Sequence, residues 1–322
     1  MMDIAIVDAH QHFWDLERNY LPWLCDGPQI PFRYGDYGAI RRTYLPEHYF
    51  RDAAGHDVVA TVHVETEWDP SDPVGETEWL QEIIDRHGFP HAIVAQARLD
   101  DPGVEEVLSR HSRFARVRGI RHKPRAAASP ADVRPGAPGS MGDPAWRRGY
   151  ALLQRYGLSF DLQTPWWHLA EAADLAADFP DTQIILNHTG LPADRSKAGL
   201  KGWRQAMAAF ASRPNVVVKI SGLGQPGRPW TVKANRGVVL DTIGIFGPER
   251  CMFASNFPVD SLIAPLDTIL GGFKEIVAGL SSADQARLFR ENALRLYRIY
   301  GPKPGSAGAD EQDAEIVRRD GI

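Results

Sequence analysis

Two histidines one residue apart, His10 and His12, sit in the stretch Asp8-Ala-His-Gln-His-Phe-Trp-Asp15, just after an apolar start. Side chains alternate along a strand, so both imidazoles are predicted to face one point, with Asp8 in phase behind them. Paired imidazoles of this kind bind a metal ion or a substrate carbonyl, and two hydrogen-bonded histidines at a strand end would leave the same pattern. Other apolar segments also end on polar residues: Glu65, His122, Asp161 with Gln163, His188, Ser221 and Asn256. An unsatisfied buried polar group costs about 1 to 3 kcal/mol. So many at one end of a fold imply a ligand, water or metal that satisfies them.

The elements that must position them alternate regularly. Strands are predicted at 4–12, 58–66, 91–99, 117–123, 158–163, 182–188, 215–221 and 250–256, each a short β-branched or apolar run bounded by turn residues. Helices are predicted at 75–87, 101–110, 144–156, 166–178 and 201–212, and through Val238 and Ile243. A last one begins at the capping-box pair Ser282 and Gln285 and reaches Tyr300. Eight such units without a linker predict a closed (β/α)8 TIM barrel over residues 1–300, followed by a polar tail, 301–322, as a frayed end or oligomer arm. Parallel barrels keep their chemistry at the carboxyl ends of the strands, where these polar residues fall. An open doubly wound sheet is disfavoured, since no Gly-x-Gly-x-x-Gly turn follows the first strand. Two long connections stand out. The segment 13–50 is rich in Trp and Tyr and reads as a pocket wall or a satellite core, and the Ala/Pro/Gly-rich stretch 125–143 reads as a mobile loop.

With 322 residues, 43% hydrophobic and 24% charged, the chain can build one large core. A net charge of -5, with both signs scattered, gives no reason to expect nucleic acid or a membrane as partner. Cys25 and Cys251 are too few for a disulfide framework and suit a reducing compartment, and no signal-like start is present, so a cytoplasmic protein is expected.

The motifs Asp8-Ala-His10-Gln-His12-Phe, Val62-His-Val-Glu65, Leu186-Asn-His188-Thr-Gly and Ser255-Asn256-Phe-Pro-Val, in that order, resemble the amidohydrolase-related barrel hydrolases over about residues 4–300. More narrowly they resemble the branch holding sugar-acid lactonases and the pyrone-dicarboxylate lactonase. That resemblance implies an enzyme that hydrolyses a small lactone or carboxylate substrate. It implies a divalent metal, zinc being suited to neutral imidazoles, on His10, His12 and His188. Some members of the branch work without metal, with the same histidines touching substrate. A decarboxylase on this scaffold and a non-catalytic binding homologue are the alternatives.

The sequence departs from the family at the eighth strand, where Asn256 replaces the usual aspartate base. An amide cannot accept the proton, so Asn256 is expected to position water. Loss of general-base help costs about 10² to 10⁴ in rate. Asp260, Glu65 and His122 are the candidate substitutes. Asp260 also reads as a solvated or capping loop acid, Glu65 as a residue orienting a histidine, and His122 as a satisfied strand-end residue. For substrate contacts the candidates are Arg121 or Lys123 for a carboxylate, which read also as solvent- or helix-facing salt bridges. Asp161 and Gln163 are candidates for sugar hydroxyls and read equally as ties between adjacent strands. Of Trp166 and Trp167, one is expected to stack on a substrate ring and the other to pack in the helix layer. Arg121 and Lys123 share a strand face opposite to His122, so only one set points inward. The remaining histidines, including His111 and His168, are expected at the surface.

Overall fold

The structure, a computed structural model, describes residues 4–299. Eight strands lie side by side in chain order and pair in parallel: β1 (Ile6–Gln11), β2 (Val58–Val64), β3 (Ala92–Gln96), β4 (Val117–Arg121), β5 (Ser159–Leu162), β6 (Ile184–Leu186), β7 (Val216–Ile220) and β8 (Cys251–Phe253). The edge strands meet through a parallel bridge between Gln11 and Phe257, where Asn256 N donates to His10 O and His12 N donates to Phe257 O, each at 2.7 Å. This is the (β/α)8 barrel. Among the described residues no helix is long and apolar enough to cross a membrane.

Alternation along each strand makes two cores. Val7, Ala9, Val62, Val64, Val94, Ile185, Val217 and Met252 fill the barrel, together with Tyr297 from the C-terminal helix. The opposite faces, with Ile93, Ile120, Phe160, Leu186 and Phe253, pack against the helices. The helix Gly75–His87 shows why such sequences form elements: Trp79, Leu80, Ile83 and Ile84 bury one face. Gly88 ends it at φ 76°, donating its N–H to Ile84 O at 2.7 Å, a left-handed cap that suits glycine.

All eight strands are shorter than predicted, and β6 and β8 end early because the chain turns over the mouth. His188 and Asn256 lie beyond their strands with φ of 55° and 57°. In β1 the register shifts between Asp8, opposite Thr61, and Gln11, opposite His63, so three steps on β1 match two on β2. This irregularity breaks the expected phase. Asp8 turns away from the histidines to accept from Ser255 N at 2.9 Å and Tyr49 OH at 2.7 Å. The loop expected to be mobile is tethered: Glu171 accepts from Ser140 Oγ at 2.8 Å and Gly142 N at 2.7 Å. At the last helix Ser281, not Ser282, is the cap, accepting from Asp284 N at 3.1 Å. That helix continues through a wide turn at Arg287–Glu291 to Leu296, and Tyr300 and the tail 301–322 lie outside the described residues.

Inside the barrel, Lys219 on β7 meets Asp161 on β5 at 2.5 Å, both fully buried. Asp161 also accepts from Asn187 Nδ2 at 2.9 Å and from Tyr297 OH at 3.0 Å. Of the two readings of Asp161, substrate contact or strand tie, the second is the one found, and the tie extends to the C-terminal Tyr297. Removing one partner of a buried pair leaves an uncompensated charge, at about 3 to 5 kcal/mol. Lys219→Met is expected to lower unfolding free energy by that order in urea titrations, and Lys219→Met with Asp161→Leu by clearly less.

Candidate active site

The carboxyl ends of the strands surround a cavity of about 270 Å³. His12, His188 and Asn256 form part of its floor, Glu65, Arg121, Lys123 and Gln163 one side, and Trp14, Trp23 and Phe32 an aromatic wall. The segment 13–50 supplies that wall and packs into the core as well. His10 lies beneath the floor, its ring 4.9 Å from that of His12 and 4.8 Å from that of His188. The three imidazoles thus meet, as their motifs predicted.

Hydrogen bonds assign their faces. His12 Nδ1 lies 2.6 Å from Val64 O and must donate to it, which leaves the Nε2 lone pair 3.3 Å from Asn256 Oδ1, an acceptor facing an acceptor. His188 Nδ1 lies 2.9 Å from Ser221 Oγ. Both ring nitrogens of His10 are buried without a partner. Burial drives all three rings towards the neutral form. Nearby cations add to it, chiefly Lys219 for His10, Arg121 for His12 and Arg33 for His188.

Neutral imidazoles with unspent lone pairs, beside an amide oxygen, have the chemistry of a divalent-cation site. Among the described residues no three His, Cys, Asp or Glu side chains are drawn together as a formed metal centre, so the fit is one of donor chemistry. Gly222 makes the seat of His188 possible: at φ 62°, a Cβ there would stand 2.7 Å from His188 Nδ1.

Arg121 Nε meets Glu65 Oε1 at 2.5 Å, its Nη2 meets Glu65 O, and its Nη1 donates to Gln163 Oε1 at 3.2 Å. Glu65 Oε2 accepts from Glu67 N at 2.7 Å. Both carboxylate oxygens of Glu65 are thus engaged, and the residue orients Arg121 rather than a histidine. Lys123 pairs with Glu67 at 2.5 Å. Arg121 and Lys123 are the set that points inward.

Three expected contacts lie elsewhere. His122 faces the helix layer, stacked on Trp146 at 6.3 Å and accepting from Leu99 N at 3.0 Å. Asp161 is the interior tie already described. Trp166 opens a turn after Pro165 that carries its ring over Gly202, where a Cβ would clash at 2.7 Å, and Trp167 donates to Ala127 O at 2.9 Å. Neither tryptophan lines the cavity. Asp260 is no solvated loop acid: it is buried and accepts from Asn256 Nδ2 at 2.6 Å and Tyr34 OH at 2.9 Å. It thereby fixes which end of the Asn256 amide faces His12. Nor are all other histidines at the surface. His111 is buried, donating to Gln96 O at 2.9 Å, its pKa pushed down to about 4 mainly by burial, and His168 is buried, accepting from Ala127 N at 2.8 Å.

Trp14 and Trp23 come from the segment that reads as a pocket wall, whereas sequence alone does not single out Lys219, Arg33 or Glu67 for the site. Lys219 carried one usable signal, a lysine inside the apolar run Val216–Ile220.

The profile of the family described as Amidohydrolase matches residues 7–299. The chain is 46% identical over 299 residues to an uncharacterized protein, y4mH, of Sinorhizobium fredii, spanning 93% of this chain and 100% of that one. It is 27% identical to an L-fucono-1,5-lactonase of Burkholderia multivorans, over 94% of this chain and 98% of that one. A crystal structure of an amidohydrolase from Burkholderia multivorans with bound zinc superposes with a TM-score of 0.76 at 26% identity, over 92% of this chain and 100% of that one.

Burial alone pushes the Glu65 carboxyl up, but the charges of Arg121 and Lys123 outweigh it and hold the pKa below 4.5. A depressed carboxylate contributes stability that is present above its unfolded pKa and lost as pH falls through the folded one. In Arg121→Met the buried carboxylate loses this partner, so the stability gap between wild type and variant is expected to be widest near neutrality. It should narrow as pH falls below about 4.5, as read by urea unfolding at a series of pH values.

Proposed function

The chain belongs to the amidohydrolase family, and from that premise we propose that its barrel mouth opens lactones, the internal esters of sugar acids or dicarboxylic acids, by attack of water. The observation that carries this reading is the floor. The free ring nitrogen of His12 and the amide oxygen of Asn256, both acceptors, lie across from the guanidinium of Arg121 in a cavity sized for a single sugar ring. The full-length likeness to a lactonase supports it.

The residues divide the work by chemistry. The ring of the lactone lies against Trp14 and Trp23, and the N–H groups of Arg121 left free by Glu65 and Gln163 reach its oxygens. Asn256 Oδ1 accepts a hydrogen bond from the attacking water and so aims the oxygen lone pair at the carbonyl carbon. Asp260 positions that amide and does not touch substrate. His10, His12 and His188 would hold a divalent cation such as zinc. When bound, that ion would polarise the carbonyl and lower the pKa of water, which offsets the absence of the aspartate at position 256.

In a pH-stat assay against 1,5- and 1,4-lactones of sugar acids and of sugar diacids, saturable hydrolysis is expected from the wild type. His188→Ala should lower kcat by about 10²- to 10³-fold, the scale for losing one preorganised electrostatic group. An active preparation indifferent to His188→Ala would refute the reading. A second readout needs no turnover: zinc added to chelator-treated protein is expected to raise Tm by mass action in the wild type and much less in His10→Ala.

A further inference from the structure

The eighth strand brings no base to the mouth, and the three residues that could stand in for one are all committed elsewhere. Asp260 is buried against Asn256, Glu65 has both oxygens engaged, and His122 faces the helix layer. Two carboxylates line the cavity, Glu65 and Glu67. In Glu67 one oxygen is taken, Oε1 by Lys123 Nζ at 2.5 Å, and Oε2 has no partner among the described residues. The side chain is 42% exposed, so water reaches it.

The backbone keeps this oxygen close to the floor. Val64 O, where β2 ends, lies 2.6 Å from His12 Nδ1, and Glu67 follows three residues on. Consecutive Cα atoms are about 3.8 Å apart, so Glu67 stands at most about 11 Å along the chain from that contact. The turn draws it in further. Glu67 N donates to Glu65 Oε2 at 2.7 Å, and its φ of 58° lies in the left-handed region, which a glutamate keeps where its surroundings hold it there. Trp23 fixes the same turn, donating its Nε1 to Thr66 O at 2.8 Å. Strained non-glycine residues cluster at active sites, where a side chain has to be aimed.

We propose that Glu67 is the general base for the attacking water, the part usually taken by the aspartate that Asn256 replaces. The proposal rests on the lactonase reading for its substrate and on the cavity's own carboxylates for the base. Water held by Asn256 Oδ1 gives its other proton to Glu67 Oε2 as its oxygen bonds to the lactone carbonyl carbon, and the carbonyl π pair moves onto the carbonyl oxygen. When that pair returns, the bond from the carbon to the ring oxygen breaks. Glu67 hands its proton to the departing ring oxygen, which leaves the open hydroxy acid and restores the carboxylate. Lys123, by holding Oε1, leaves Oε2 for the water.

The test uses the full chain and the lactone that the wild type opens fastest. Glu67→Gln, which keeps the shape and removes the base, is expected to lower kcat about 10²- to 10⁴-fold with KM changed less than about threefold. Two further measurements separate a base from a structural residue. Formate, a small carboxylate, is expected to raise the activity of Glu67→Ala about tenfold or more and to leave wild type unchanged. Asn256→Asp combined with Glu67→Gln is expected to recover about tenfold or more over Glu67→Gln alone, since it returns a carboxylate to the water. Wild-type turnover that survives Glu67→Gln would overturn the proposal and leave the lactonase reading standing. So would a loss that neither formate nor Asn256→Asp repairs, which would mark Glu67 as a structural residue. A wild type that opens no lactone would overturn that reading, and the proposal with it.

Discussion

The closure of the barrel is the constraint from which the rest of this molecule follows. β1 and β8 are the first and last strands of the sheet, and they meet through one bridge and two short hydrogen bonds involving His10, His12, Asn256 and Phe257. Two of these residues, His12 and Asn256, also form part of the floor of the cavity, and His10 lies beneath it. Asp8 staples this seam from the helix side, accepting from both Ser255 N and His10 N. A fully buried carboxylate in such a place is costly, and burial raises its pKa, but each of its bonds restrains a residue of the seam. Fold and site are here one set of contacts.

Electrostatic pairing is the second theme. Guanidinium and ammonium groups project into the barrel from β4 and β7 and from the inserted segment, and most are matched by a carboxylate within hydrogen-bond distance. The three imidazoles among them are left neutral, since a protonated ring would face both desolvation and these cations. Neutrality is what makes their nitrogens acceptors. The site thus presents lone pairs and oriented donors, and the amide of Asn256 adds no charge to its floor.

The aromatic segment after β1 joins these themes. It is long for a connection in a compact barrel, and it folds because Trp14, Tyr37 and Tyr44 are buried against the barrel and each other while Trp23 and Phe32 turn towards the cavity. Variation in such a segment changes what the mouth admits without touching the strands, which is how one barrel serves many substrates.

Much of this was legible in the residues. Eight apolar β-branched runs alternating with amphipathic helices point to a parallel sheet covered on both faces, and the missing Gly-x-Gly-x-x-Gly turn after the first strand favours the closed barrel over an open one. The order of the His-x-His, Asn-His-Thr-Gly and Ser-Asn-Phe-Pro motifs then placed His10, His12, His188 and Asn256 at one end. What periodicity could not supply was phase and partner. The irregularity in β1 turns Asp8 away from the histidines, the left-handed turns at His188 and Asn256 bend both over the mouth, and parity alone could not say that Arg121 faces inward and His122 outward. Nor could it show that Asp161 answers a lysine 58 residues away, or that Asp260 folds back onto Asn256. Those outcomes depend on which charges and amides meet across the closed barrel, and such meetings exist only once every strand has its neighbour.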